Sequence, residues 1–362
     1  MLLPIKVLLV EDSPVVTIVL KRIFDASSEI EVVGTACNGL EALELIPKLQ
    51  PEVICTDLNM AQMNGIEFTQ EVMKKYPRPI LIISASVQAN DTQNVFQLLK
   101  AGALDVFPKP IGGLASDYDR LANELIAKVK VLSGVKVFTR HQKLGGIETS
   151  DRLIKKNNQL PMHNYQLARE NLNSQTIKLL AIGASTGGPQ ALHSIISQFP
   201  ANLPVPVICI QHISEGFLQG LVDWLAFESK LPVKIAVLGE LPQPGIVYFP
   251  PEKRHLELDS QGRFIYSEAD PGGGHCPSVT VTFKSVANFY GRAAAGVLLT
   301  GMGRDGAEGM LAIAKLGGLT IAQDEATCVV FGMPKEAIAL GAAQHVVALS
   351  AIASLLLAKL KV

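Results

Sequence analysis

Apolar positions in this chain fall in short unbroken runs, separated by longer stretches with helical spacing. A first set reads "KVLLV", "IEVVGTA", "EVICT", "ILIISA" and "ALDVF"; a second reads "KLLAIGA", "VPVICIQ", "VKIAVL", "GVLLTG", "GLTIAQ" and "HVVAL". Runs apolar at consecutive positions are expected of strands buried on both faces, and helices between them imply parallel sheets. From about Thr139 to Thr176 the chain turns rich in Asn, Gln, Lys and Arg, with apolar residues too scattered to make one face. The pattern therefore predicts two doubly wound α/β domains, at residues 1–134 and 177–362, joined by a linker at 135–176. The closing "SAIASLLLAKLKV" reads as a packed terminal helix.

Composition narrows the function classes. With 48% hydrophobic and 18% charged residues in 362, two buried cores are expected. A net charge of -1 leaves no basic field for nucleic acid or an anionic membrane, and the second half shows neither a basic stripe nor helix-turn-helix grammar. No apolar run reaches the roughly 18 residues of a membrane helix, and "MLLPIKVLLVEDSP" meets its acidic pair too early for a signal peptide. Five widely spaced cysteines, with no C-x-x-C pair, fit a reducing cytoplasm.

In an open parallel sheet, ligands collect at the carboxyl ends of the strands. In the first half these ends carry Glu11 and Asp12, then Asp57, then Ser84, then Lys109. Three converging carboxylates repel one another unless a hard cation such as Mg²⁺ sits among them, and a hydroxyl with a lysine suits a transferred phosphoryl group. Taken singly, each acid also reads as a solvated loop residue. The segments "VLLVEDSP", "CTDLNM", "ISAS" and "DVFPKP" resemble the receiver domains of two-component response regulators, whose fold is flavodoxin-like. That resemblance implies phosphorylation of Asp57 by a histidine kinase, Mg²⁺ held by Glu11, Asp12 and Asp57, phosphoryl contacts from Ser84 and Lys109, and a cis Lys109-Pro110 bond. Ala61, Asn64 and Val106 depart from the usual pattern of that family.

The second half opens with "LLAIGASTGGPQAL". It supplies neither G-x-G-x-x-G nor a Gly-Lys-Ser/Thr phosphate loop, but Gly183 to Gly187 match G-x-S-x-G, a tight strand-to-helix turn that lifts a serine hydroxyl above the sheet edge. A plain glycine-rich turn fits the same letters. A serine nucleophile needs a base, and His212 follows the next buried strand; the base needs an orienting acid, and Asp305 lies in the turn "TGMGRDG". Alone, Asp305 also reads as a helix N-cap. His193 and His345 sit less favourably, His255 lies in the charged stretch "PEKRHLELD", which reads as the edge of a hairpin, Cys209 lies mid-strand, and His275-Cys276 lacks zinc-like spacing.

Five segments, "IGASTGGP", "IQH", "PSVTVTFKSVA", "LLTGMGRDGAEGM" and "QDEATCVVFGMPKEAI", resemble the protein-glutamate methylesterases of bacterial chemotaxis, with Thr280 standing where that family often has Asp. The resemblance implies hydrolysis of glutamyl methyl esters on methyl-accepting chemotaxis receptors, deamidation of receptor glutamines, and control through the receiver. It assigns Ser185 as nucleophile, His212 as general acid/base, Asp305 as its orienting residue, and main-chain donors at Thr186 and Met302 to the oxyanion, with no cofactor in the esterase site. Two other classes stay open: a non-enzymatic response regulator with a partner-binding output half, and a serine esterase or peptidase of other substrate.

Overall fold

The computed structural model describes residues 3–85, 92–110, 115–137, 176–268 and 274–362. Strands β1 (Ile5–Val10), β2 (Ile30–Ala36), β3 (Val53–Thr56), β4 (Ile80–Ser84) and β5 (Asp105–Pro108) form a sheet of order β2-β1-β3-β4-β5, parallel throughout. Helices α1 (Pro14–Asp25), α2 (Gly39–Leu49), α3 (Gly65–Lys75), α4 (Thr92–Ala101) and α5 (Ala115–Ser133) alternate with the strands. The central strands are buried at nearly every position because helices cover both faces, as their unbroken apolar runs require. This is the flavodoxin-like order, with its reversal between β1 and β3. Local chemistry sets the helix starts: Ser13 caps α1 ahead of Pro14, and Asn64 forms a capping box with Glu67 at α3. Asn64, one of the departures noted above, is thus an effective helix cap.

The second sheet has seven parallel strands in the order β14-β13-β12-β6-β7-β9-β8. They are β6 (Leu179–Ala184), β7 (Val207–Gln211), β8 (Val233–Ile235), β9 (Val247–Phe249), β12 (Ala294–Leu298), β13 (Leu319–Gln323) and β14 (His345–Val347). An antiparallel hairpin, β10 (His255–Leu258) with β11 (Phe264–Ser267), stands apart. Helices α6 (Gly188–Ile196), α7 (Leu218–Glu228), α8 (Val279–Tyr290), α9 (Ala307–Lys315), α10 (Met333–Ala339) and α11 (Leu349–Leu360) complete this half. The chain winds from β6 outward through β7, then returns to the other side of β6 as β12. The reversal therefore lies between β6 and β12, and a ligand crevice is expected at their carboxyl ends.

Strand β9 was not among the expected elements: three residues between Gly245 and Pro250 are too few to show a period. The expected linker at 135–176 falls almost wholly outside the described residues. Val135 and Val137, at its start, pack on the first sheet's core. The Lys109-Pro110 bond is not cis, contrary to the expectation; the cis bond among the described residues is Cys276-Pro277. Trans is the intrinsically preferred form, and Lys109 reaches both Glu11 and Asp57 from it. No described helix is long and apolar enough to cross a membrane.

The two sheets are joined through α4. Phe96 stacks on Trp224 of α7 with ring centroids 5.4 Å apart, and His193 of α6 stacks on the same indole at 4.9 Å. Around this apolar contact, Lys100 pairs with Glu228 at 2.9 Å, and Gln190 of α6 donates its amide to the carbonyls of Leu99 and Ala103. Ser214, two residues past His212, donates to the Val106 carbonyl of β5 at 3.5 Å.

Candidate active site

Ser185 stands at the carboxyl end of β6, in the one-turn gap before α6. Its amide donates to Thr300 O at 3.0 Å and its carbonyl accepts from Gly188 N at 2.7 Å, so the backbone reverses within three residues. Gly187 is needed there: its φ is +77°, and a Cβ would lie 2.6 Å from Val329. The turn is the strand-to-helix corner expected of G-x-S-x-G.

His212 enters by strand register. Ala184 pairs with Gln211 across β6 and β7, and His212 N donates to Ala184 O at 3.0 Å, which places the histidine beside the serine turn. Its Nε2 lies 2.9 Å from Asp305 Oδ2, while its Nδ1 is buried with no hydrogen-bond partner. A carboxylate accepts, so Nε2 carries the proton and Nδ1 presents the lone pair. The structure brings His212 and Asp305 into contact and Ser185 alongside through the backbone. No hydrogen bond links the Ser185 hydroxyl to His212 among the described residues.

Asp305 does not cap the helix that follows it. Gly306 takes that position, at φ +88°, and the Asp305 carboxylate instead sits at the N-terminus of α8. It accepts from Val279 N (2.8 Å), Thr280 N, Ser278 Oγ, Gly306 N and His212 Nε2 (each 2.9 Å). Burial alone would raise its pKa, but the His212 hydrogen bond and charge, together with the Thr280 contacts, outweigh it and hold the carboxyl well below the usual range. The N-cap reading is therefore half right: Asp305 serves a helix end, on a segment distant in sequence. Thr280 Oγ1 accepts from Gly306 N at 2.7 Å and so ties the Asp305 turn to α8.

The main-chain amides of Thr186 and Met302 donate to no acceptor among the described residues. Thr186 is buried beside the serine. Met302 is 52% exposed, in a turn whose preceding Gly301 passes so close that a Cβ on it would meet Ser185 Cβ at 2.7 Å. A cleft of about 450 Å³ adjoins the site, lined by His255, His275, Ser278, Thr280, Arg304 and Asp305 among others.

Several supporting residues were not anticipated. Buried Gln211 donates to the carbonyls of Ser185 and His212, both at 2.8 Å, and buried Thr300 donates to Thr186 O at 2.9 Å. His255 lies in a hairpin as expected, yet it is buried and accepts from Ser278 N through Nδ1. His275 stacks directly on His212. Only Gln211 carried a sequence signal, its place beside His212 at a strand end. Cys209 is wholly buried mid-strand, and burial pushes its thiol far up, which disqualifies it as a nucleophile.

At the reversal of the first sheet, ligand oxygens of Glu11, Asp12 and Asp57 lie within 4.8 Å of one another. Lys109 Nζ is 2.9 Å from the Glu11 carboxylate and 2.8 Å from Asp57 Oδ2, and Leu58 N donates to Asp57 Oδ1 at 2.7 Å. Burial raises the pKa of both Glu11 and Asp57, with further contributions from the Asp57 charge on Glu11 and the Asp12 charge on Asp57; the lysine offsets these only in part. An all-oxygen donor set with under-compensated buried charge fits a hard divalent cation. Ser84 is buried at the end of β4, next to the strand bearing Asp57 at its end.

Fold and site together define a response-regulator protein whose output half is of hydrolase type. The CheB methylesterase family matches residues 180–356, and the response regulator receiver domain matches residues 7–115. A protein-glutamate methylesterase/protein-glutamine glutaminase of Syntrophus aciditrophicus is 41% identical over 94% of this chain and 94% of its own length. Another, from Nitrosospira multiformis, is 39% identical over 97% of this chain and 96% of its own. The solved Thermotoga maritima CheB methylesterase catalytic domain is 39% identical, covers 51% of this chain and 98% of its own, and superposes with a TM-score of 0.49. The chain belongs to the CheB methylesterase family, with a receiver domain ahead of the methylesterase part.

Proposed function

We propose that the chain hydrolyses γ-glutamyl methyl esters on the helices of methyl-accepting chemotaxis receptors, under control of phosphorylation at Asp57. The observation that carries this reading is the His212–Asp305 hydrogen bond of 2.9 Å beside the Ser185 turn, at the reversal of the second sheet. Ser185 Oγ attacks the ester carbonyl as His212 Nδ1 takes its proton; Asp305 holds Nε2 and offsets the imidazolium charge. The Thr186 and Met302 amides receive the oxyanion. His212 then protonates the departing methoxide, methanol leaves, and a water deprotonated by the same nitrogen restores Ser185 and frees the glutamate. Receptor glutamine amides follow the same path with ammonia as leaving group and greater dependence on protonation by His212.

In the receiver, Glu11, Asp12 and Asp57 would hold Mg²⁺, which supplies charge neutralisation for phosphoryl transfer. A chemotaxis histidine kinase is the phosphodonor, and the chain works in the cytoplasm. Lys109 and Ser84 contact the phosphoryl group on Asp57. The change is read by α4, whose Phe96, Lys100 and C-terminal carbonyls contact α6 and α7. The receiver domain is taken as residues 1–134, the linker as 135–176 and the catalytic domain as 177–362.

The test is methanol release from receptor membranes carrying radiolabelled methyl esters, using the full chain with and without a small-molecule phosphodonor. Ser185→Ala is expected to lower release by at least about 10³-fold. Asp57→Ala is expected to retain basal release and lose the phosphodonor response. Equal release by wild type and Ser185→Ala overturns the esterase reading in favour of a partner-binding output half; turnover of small esters with receptor ignored points to another substrate.

A further inference from the structure

His275 lies flat on His212, with ring centroids 4.0 Å apart and planes 17° from parallel. Neither of its ring nitrogens makes a hydrogen bond among the described residues, and its free edge borders the cleft beside Asp305. It belongs to the segment that leads into α8, three residues before Ser278, whose hydroxyl donates to Asp305. One short stretch thus supplies both a ring on the face of His212 and donors to the acid at its edge.

A general base held by one hydrogen bond at Nε2 is still free to swing about its side-chain torsions, and Nδ1 has no partner to prevent it. A ring packed on its face restricts that swing. The face matters for charge as well: when His212 takes the serine proton it becomes a cation, which the π face of an uncharged ring attracts and a second cation repels. We propose that His275 is a positioning residue for the hydrolysis, its neutral ring holding His212 in line between Asp305 and Ser185 and favouring the imidazolium formed in the transition state. The inference rests on the triad reading given above.

The surroundings keep that ring neutral. The residue is exposed overall, but desolvation of the ring where it packs and the charge of His212 lower the His275 pKa to about 4, with Lys128 of α5 acting in the same direction and Asp305 against it. Lys128 is itself paired with Asp105 at 2.6 Å. His255, Arg304 and Glu308 line the same cleft.

The test compares full-length wild type, His275→Ala and His275→Phe for methanol release, together with ¹H–¹³C spectra of the histidine rings and thermal melts. His275→Ala is expected to lower kcat about tenfold with KM within about twofold, and His275→Phe to restore most of the loss, because phenyl keeps the face without the nitrogens. The Cε1–H resonance of His212, assigned through its loss in His212→Gln, is expected to move downfield in His275→Ala as ring shielding disappears, and to stay near its wild-type position in His275→Phe. Unchanged kcat in His275→Ala, or a folded His275→Phe as impaired as His275→Ala, overturns the positioning role. An unmoved His212 resonance overturns the stack itself. Equal inactivity of wild type and Ser185→Ala condemns the triad reading instead, and the resonance still decides whether the rings are stacked.

Discussion

The two halves place their polar clusters at the same topological point, the carboxyl ends of the strands where the winding reverses, yet treat a buried carboxylate in opposite ways. At the first reversal Glu11 and Asp57 share one lysine, and burial raises their pKa values. At the second, Asp305 receives four donors from its own turn and the N-terminus of α8, plus His212, and its pKa falls. The first arrangement leaves charge wanting a cation or a proton. The second leaves charge fully committed, so that it can orient a histidine without being protonated itself. The same scaffold thus serves two chemistries according to how many donors reach the acid.

The strongest way to break that contrast is Asp305→Asn. An amide cannot accept from all five donors, and its N–H₂ group would favour the His212 tautomer with the proton on Nδ1, the nitrogen proposed to act as base. Methanol release is expected to fall about 10³- to 10⁴-fold, with the protein still folded by circular dichroism. The acid-side stability should separate the two sites too. The contribution of Asp305, whose folded pKa is depressed, is complete above the unfolded value of about 4 and is lost as pH falls toward the folded one.

Asp57→Asn probes the opposite sign. Because the folded pKa of Asp57 is raised, its ionisation favours the folded chain least above that value, and removing the charge is expected to raise the melting midpoint at pH 7 by about 2 °C. The gain should vanish below about pH 4, where wild-type Asp57 is protonated in both states. A variant less stable than wild type at pH 7 would show that the Lys109 pair outweighs burial. The smallest effect is expected at the contact between the halves. Lys100→Ala removes an ion pair to Glu228 in which the lysine is half-exposed, worth less than about 1 kcal/mol, and should change unphosphorylated methanol release less than about twofold. A larger change would mean that the pair, rather than the Phe96–Trp224 stack, holds α4 in place.

Much of this was legible in the sequence. Both sheets announced themselves because strands buried on two faces must be apolar at every position, and Ser185, His212 and Asp305 stood at strand ends in turns too polar or too glycine-rich for a core. The supporting residues, Gln211 apart, were not legible. Ser278 and Thr280 look like the first turn of a helix, which they are; that the turn grips a carboxylate some 25 residues later depends on α8 lying against the Asp305 turn. His275 stood beside Cys276 without zinc-like spacing and carried no other pattern, and His255 looked like a hairpin edge. Strand β9 was too short to show a period.

What the sequence determined by itself was therefore the alternation of strand and helix, the strand-end location of the candidate site residues, and the membership of both halves in their families. Those features are local, written in runs of a few residues whose burial follows from the period. The tertiary structure alone decided which nitrogen of His212 meets Asp305, which helix end holds that carboxylate, which ring covers the histidine, and where α4 rests on α6 and α7. Each of these is a meeting of segments far apart in the chain, and such contacts follow from packing, not from any pattern that neighbouring residues can display.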